Sequence, residues 1–89
     1  MPTIYEFLKA NKYYKFKIAN RDGSKIYIDK EKSFDDLKIA MMYSDTEEEE
    51  FFEKISEYAV LSVDFLGNII YCDYWLVAIY KEIKQKERG

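Results

Sequence analysis

The stretch "YYKFKIANRDGSKIYIDK", residues 13–30, decides the fold. It alternates with period two, so that Tyr14, Phe16 and Ile18 face one way and Lys15, Lys17 and Ala19 the other. Past the turn, Ile26 and Ile28 alternate with Lys25, Tyr27 and Asp29. A two-residue Asp-Gly turn would set Ile18 against Tyr27 and mix the faces. A three-residue loop, Arg21 to Gly23 with Gly23 left-handed, instead pairs Asn20 with Ser24, Ile18 with Ile26 and Phe16 with Ile28. It also sets Lys15 opposite Asp29, a favourable cross-strand charge pair. Agreement on both faces predicts an antiparallel hairpin in that register.

Helices flank this hairpin. "TIYE" carries the capping-box spacing at Thr3 and Glu6, and Ile4, Phe7 and Leu8 form a stripe, predicting a helix from Ile4 to about Ala10. "SFDD", with Ser33 as cap and Asp35 and Asp36 in the first turn, opens a second helix to about Tyr43. "SDTEEEEFFEK", residues 44–54, offers further caps, and Phe51, Phe52, Ile55, Tyr58 and Ala59 follow helical spacing from Glu47 to about Glu57. "VLSVDFLGNIIYC" then predicts a second hairpin with Leu61, Val63 and Phe65 inward. A Gly67-Asn68 turn would set Phe65 opposite Ile70 and Val63 opposite Cys72. Residues 74–81 are rich in β-branched and aromatic side chains and favour a fifth strand, although Leu76, Ile79, Tyr80 and Ile83 also fit a helical stripe. The expected fold is α+β: a small antiparallel sheet of four or five strands with two or three helices packed on it, in the order αββααββ(β). One domain spans residues 1–83, followed by a charged tail at 84–89.

At 89 residues there is room for one core, and a hydrophobic content of 48% is enough to fill it. The chain has no histidine and one cysteine, which removes Ser-His-Asp triads, Cys-His pairs and zinc sites built within the chain. Three isolated glycines cannot make a phosphate-binding loop. Cys72 lies in apolar strand context and reads as a core side chain. No catalytic, cofactor or metal role is therefore expected of any residue. "YWLVAIY" is too short to span a bilayer, so no membrane partner is expected, and a cytoplasmic, reducing compartment is the natural setting.

Charge is segregated. Residues 1–32 hold eight Lys/Arg against four Asp/Glu, net +4, whereas residues 33–66 hold two against ten, net −8. The acids of the middle block, Asp45, Glu47, Glu48, Glu49, Glu50, Glu53 and Glu57 with Asp35 and Asp36 as extensions, are the candidate partner-binding residues. Acids in a first helical turn are stabilised by the dipole and need no function. Like charges at Glu49–Glu53 and Glu53–Glu57 are a different matter, since each such pair costs a few tenths of a kcal/mol. The plain alternative, a solvated helix face, stays open. The basic hairpin could hold nucleic acid by stacking, but Tyr14 and Phe16 fall on its apolar face and a pI near 5.0 disfavours phosphate.

The pattern "TIYEFLKANKYYKFKIANRDGSKIYI" resembles the start of small proteins encoded by phages and mobile elements of low-GC Gram-positive bacteria. Some of these inhibit host defence, including anti-CRISPR proteins that bind a Cas effector through an acidic surface. The resemblance implies a non-catalytic acidic inhibitor that occupies a basic site on a nucleic-acid-binding protein. The rival expectation is self-association, a homodimer made through exposed aromatics, with Tyr27, Tyr43, Tyr74, Trp75 and Tyr80 as candidates.

Overall fold

The computed structural model describes residues 1–74. Its elements run α1 (Ile4–Ala10), β1 (Phe16–Asn20), β2 (Ile26–Lys32), α2 (Phe34–Tyr43), α3 (Glu47–Ile55), β3 (Ala59–Asp64) and β4 (Ile69–Asp73). This is the expected α+β fold in the expected order. The expected strand over residues 74–81, the end of the domain at 83 and the tail beyond it lie outside the described residues, apart from Tyr74.

Local chemistry places each helix. Thr3 accepts from the Glu6 N–H while the Glu6 carboxylate takes the Thr3 N–H, and Ser33 and Asp36 make the same reciprocal box before α2. Ser44 ends α2 in the left-handed region at φ 47°, and Thr46 caps α3.

The four strands lie in the order β2-β1-β4-β3, and the sheet is mixed rather than wholly antiparallel. The two hairpins are joined by a parallel β1–β4 pair, with Ile18 beside Ile70 and Asn20 beside Cys72. Phe16, Ile18, Ile28, Ile70 and Cys72 form the buried face, which Ile4, Leu8, Leu37, Phe52 and Ile55 cover from the helices. One edge of the core carries a T-shaped contact between Tyr5 and Phe34, centroids 5.4 Å apart.

Two expected hairpin registers and one helix end are corrected. In the first hairpin Ile18 faces Ile28, Ala19 faces Ile26 and Phe16 faces Lys32, with irregularities between them. The loop is one residue longer than expected: Asn20 N–H donates to Lys25 O at 3.0 Å, and the Asn20 side chain takes Lys25 N–H and donates to Ser24. Gly23 does adopt positive φ, at 75°. Ile26 and Tyr14 are consequently exposed, whereas Ala19, expected outside, is buried.

In the second hairpin Asp64 faces Ile69 and Val63 faces Ile70, so a four-residue loop replaces the Gly67-Asn68 turn. Asp64 Oδ1 accepts from the N–H groups of Leu66 and Gly67 at 2.9 and 3.0 Å, closing the loop two residues early. Phe65 is pushed out of the strand and is largely exposed.

Helix α3 ends at Ile55, short of Glu57, because the segment after it serves α1. Ser56 O and Tyr58 O accept the N–H groups of Tyr5 and Ile4, both at 2.9 Å, satisfying donors that a helix start leaves free.

Candidate partner-binding face

The α2–α3 junction gathers most of the acids. Helix α2 buries Phe34, Leu37 and Ala40 and leaves Ile39, Met42 and Tyr43, at i, i+3 and i+4, on its outer side. These three are 50%, 73% and 61% exposed. Directly after them Asp45, Glu47 and Glu50 point to solvent, and none has a side-chain partner among the described residues. Between α2 and α3 lies a shallow cleft of about 200 Å³, with Ile39, Ala40 and Phe52 as its apolar floor and Asp36, Glu48 and Glu49 on its rim.

The acids divide by what they already hold. Glu49 completes the Thr46 cap, with its N–H and a carboxylate oxygen each 3.1 Å from the threonine hydroxyl. The Ser44 hydroxyl lies 2.8 Å from Glu53 Oε2 and 2.7 Å from Ala40 O, so Glu53 ties the two helices together. Asp36 is spent on the Ser33 box, accepting the Ser33 N–H at 2.8 Å. Asp35 pairs with Lys38 at 3.2 Å, and Glu48 with Lys32 at 3.1 Å.

Glu57 stands beyond the helix, in the turn beside Thr3, Tyr5 and Met41, and is exposed. The expected helical like-charge pair Glu53–Glu57 is therefore broken, since α3 ends at Ile55. Asp45, Glu47 and Glu50, just before and within the first turns of α3, remain exposed. Met41, beside Ile39 and Met42 on α2, is also exposed.

Of the expected aromatic interface, Tyr27 and Tyr74 fall in one cluster. Tyr27 packs edge-on against Phe51 and Tyr58, with centroids 5.9 and 6.3 Å apart, and Tyr58 meets Tyr74 at 5.2 Å. With Asn20, Arg21, Cys72 and Asp73 these rings wall a cleft of about 330 Å³, across which Arg21 approaches Asp73 at 3.7 Å. Burial raises the pKa of both Tyr27 and Tyr58. Tyr43 is far along the chain from this cluster, on α2, and Trp75 and Tyr80 lie outside the described residues. Cys72, at the cleft floor, is buried, donates to Ala19 O at 3.3 Å, and burial pushes its thiol up to about 12. A thiol held neutral in this way is a poor nucleophile.

Among the described residues no group of three His, Cys, Asp or Glu side chains is arranged to hold a metal ion, and no helix is long and apolar enough to cross a membrane. Comparison with known proteins returns no match: no family model fits the chain, and no curated protein or solved structure is similar to it.

Proposed function

We propose that this protein is a non-catalytic binding protein that seats the acidic α2–α3 face on a basic site of a protein partner. The observation that carries the reading is that Asp45, Glu47 and Glu50 are exposed with no side-chain partner among the described residues, while α2, which packs on α3, leaves Ile39, Met42 and Tyr43 exposed. Carboxylates supply orientation and encounter rate, while buried apolar contact supplies most of the affinity. Methionine suits such a surface because its flexible thioether adapts to a partner's shape.

A protein whose groove normally receives nucleic acid presents the matching chemistry, cations set along an apolar or aromatic floor. The inhibitor class that the N-terminal pattern resembles works by blocking such grooves, so an anti-CRISPR-like inhibitor of a host defence effector is the biological form of the proposal.

The face narrows the earlier residue set. Glu49, Glu53 and Asp36 hold the fold together, so reversing them would damage structure and binding at once. Asp45→Lys, Glu47→Lys and Glu50→Lys together spare the internal bonds. Titration calorimetry against the isolated partner should show at least about a hundredfold loss of affinity with unchanged circular dichroism. Unchanged affinity would remove the acidic face from consideration.

A further inference from the structure

The acidic face leaves a second surface unexplained. Lys17 N–H donates to Asn68 O at 2.7 Å, so the start of β1 and the β3–β4 loop lie side by side. Phe65 leans on Phe16 and Phe7, centroids 6.0 and 6.4 Å away, yet keeps most of its surface in water. Leu66 beside it is 99% exposed, and Tyr13, in the turn between α1 and β1, is 88% exposed. Tyr14 is also exposed. Lysines flank the Tyr13–Tyr14 segment in the chain: Lys12 Nζ stands 5.5 Å from the Tyr13 ring centroid, Lys9 lies in the last turn of α1, and Lys15 and Lys17 lead into and along β1. This end of the molecule combines exposed apolar and aromatic side chains with lysines.

We propose that the Tyr13–Tyr14–Phe65–Leu66 tip, with its lysines, docks on the acidic α2–α3 face of a second copy of this chain. Charge complementarity selects that occupant: residues 1–32 carry net +4 and residues 33–66 net −8 within one chain. The acidic face also offers Met42 and Tyr43 as apolar counterparts to Leu66 and the tyrosines. The contact is heterologous, tip to face, so it repeats or closes depending on the rotation between copies. Four tip side chains present roughly 400–600 Å² of surface, below the ~800 Å² per partner of a stable complex. The association is therefore weak, reversible and salt-sensitive. Its acidic half rests on the reading of the face given above, and its basic aromatic half does not. A basic partner would compete for the same face and dissolve the assembly.

Sedimentation velocity of the full chain at about 50 mM and about 500 mM NaCl tests this. The wild type should sediment faster than a monomer at low salt, increasingly so with concentration, and as a monomer at high salt. Tyr13→Ser with Leu66→Ser, and separately Glu47→Lys with Glu50→Lys, should each be monomeric at both salts. Mixing the two variants restores one intact tip and one intact face, so the mixture should form a one-to-one pair at low salt. A monomeric wild type at low salt, salt-resistant association, a tip variant that still associates, or a mixture that stays monomeric would each overturn the proposal. Poly-L-lysine separates this from the preceding reading. A wild type that binds it yet stays monomeric alone sinks only the self-association. A pairing mixture with a wild type that ignores poly-L-lysine sinks only the general basic-partner reading.

Discussion

Lys32 Nζ lies 3.1 Å from Glu48 Oε1, joining the last residue of β2 to the first turn of α3. Both side chains line the α2–α3 cleft, and the pair engages the Glu48 carboxylate there. Its stabilising effect is small, since both groups retain solvent and exposed pairs contribute about 0.2–1 kcal/mol. Lys32→Gln should therefore lower stability by no more than about 1 kcal/mol in urea unfolding. The freed Glu48 should raise affinity for a basic partner, and a weaker complex would show that Lys32 contacts the partner itself.

The acids of the block should separate by denaturation. Ser33→Ala removes the cap of α2 and should cost about 1 kcal/mol, and Asp36→Ala should be similar because it breaks the other half of the same box. Glu47→Lys and Glu50→Lys should shift the urea midpoint less, because relief of like-charge crowding is set against loss of the favourable interaction of first-turn acids with the dipole of α3. A midpoint that falls as far for Glu50→Lys as for Asp36→Ala would contradict the division between structural and free carboxylates.

Phe52 sets the scale for real structural loss. It is 2% exposed and is the apolar floor of the cleft as well as a core residue. Phe52→Ala should cost about 3–5 kcal/mol, a large share of the stability of so small a domain. Phe51→Ala, one residue away and partly exposed against Tyr27, should cost distinctly less in the same unfolding experiment.

Stability should decline in alkali. The buried Cys72 thiol is raised from 9.0 to about 12, so between those values the unfolded chain has lost a proton that the folded chain keeps. The contribution is complete below pH 9.0 and is lost as the pH rises toward about 12, with a slope of at most about 1.4 kcal/mol per pH unit. Tyr27 and Tyr58, also shifted upward by burial, act in the same direction. Cys72→Ala should flatten this slope in unfolding curves measured across the alkaline range. An unchanged slope would assign the effect to the tyrosines alone.

The helix starts were legible because their signals are local. The Thr3–Glu6 and Ser33–Asp36 boxes need only a three-residue spacing, and both form. The positive φ of Gly23 was equally readable from its turn. The β1–β4 parallel pairing was not, since no residue pattern says which strand of one hairpin meets the other.

The end of α3 was misjudged because tertiary contacts decide it: the carbonyls of Ser56 and Tyr58 serve α1 instead of prolonging the helix. A similar competition, the Asp64 carboxylate against a two-residue turn, moved Phe65 and Leu66 outward and made the exposed tip invisible in an alternating pattern. At the acidic face, the sequence contained every carboxylate but not which ones were already hydrogen-bonded.

Asp45, Glu47 and Glu50 of the α2–α3 face are proposed to take a basic protein site. Parallel capture from host-cell extract with the wild type and the Asp45→Lys, Glu47→Lys, Glu50→Lys variant, read by quantitative mass spectrometry, tests it most directly. The wild type should retain a basic, nucleic-acid-binding protein, and the variant, equally folded, should lose it. Equal recovery of the same protein by both would contradict the account.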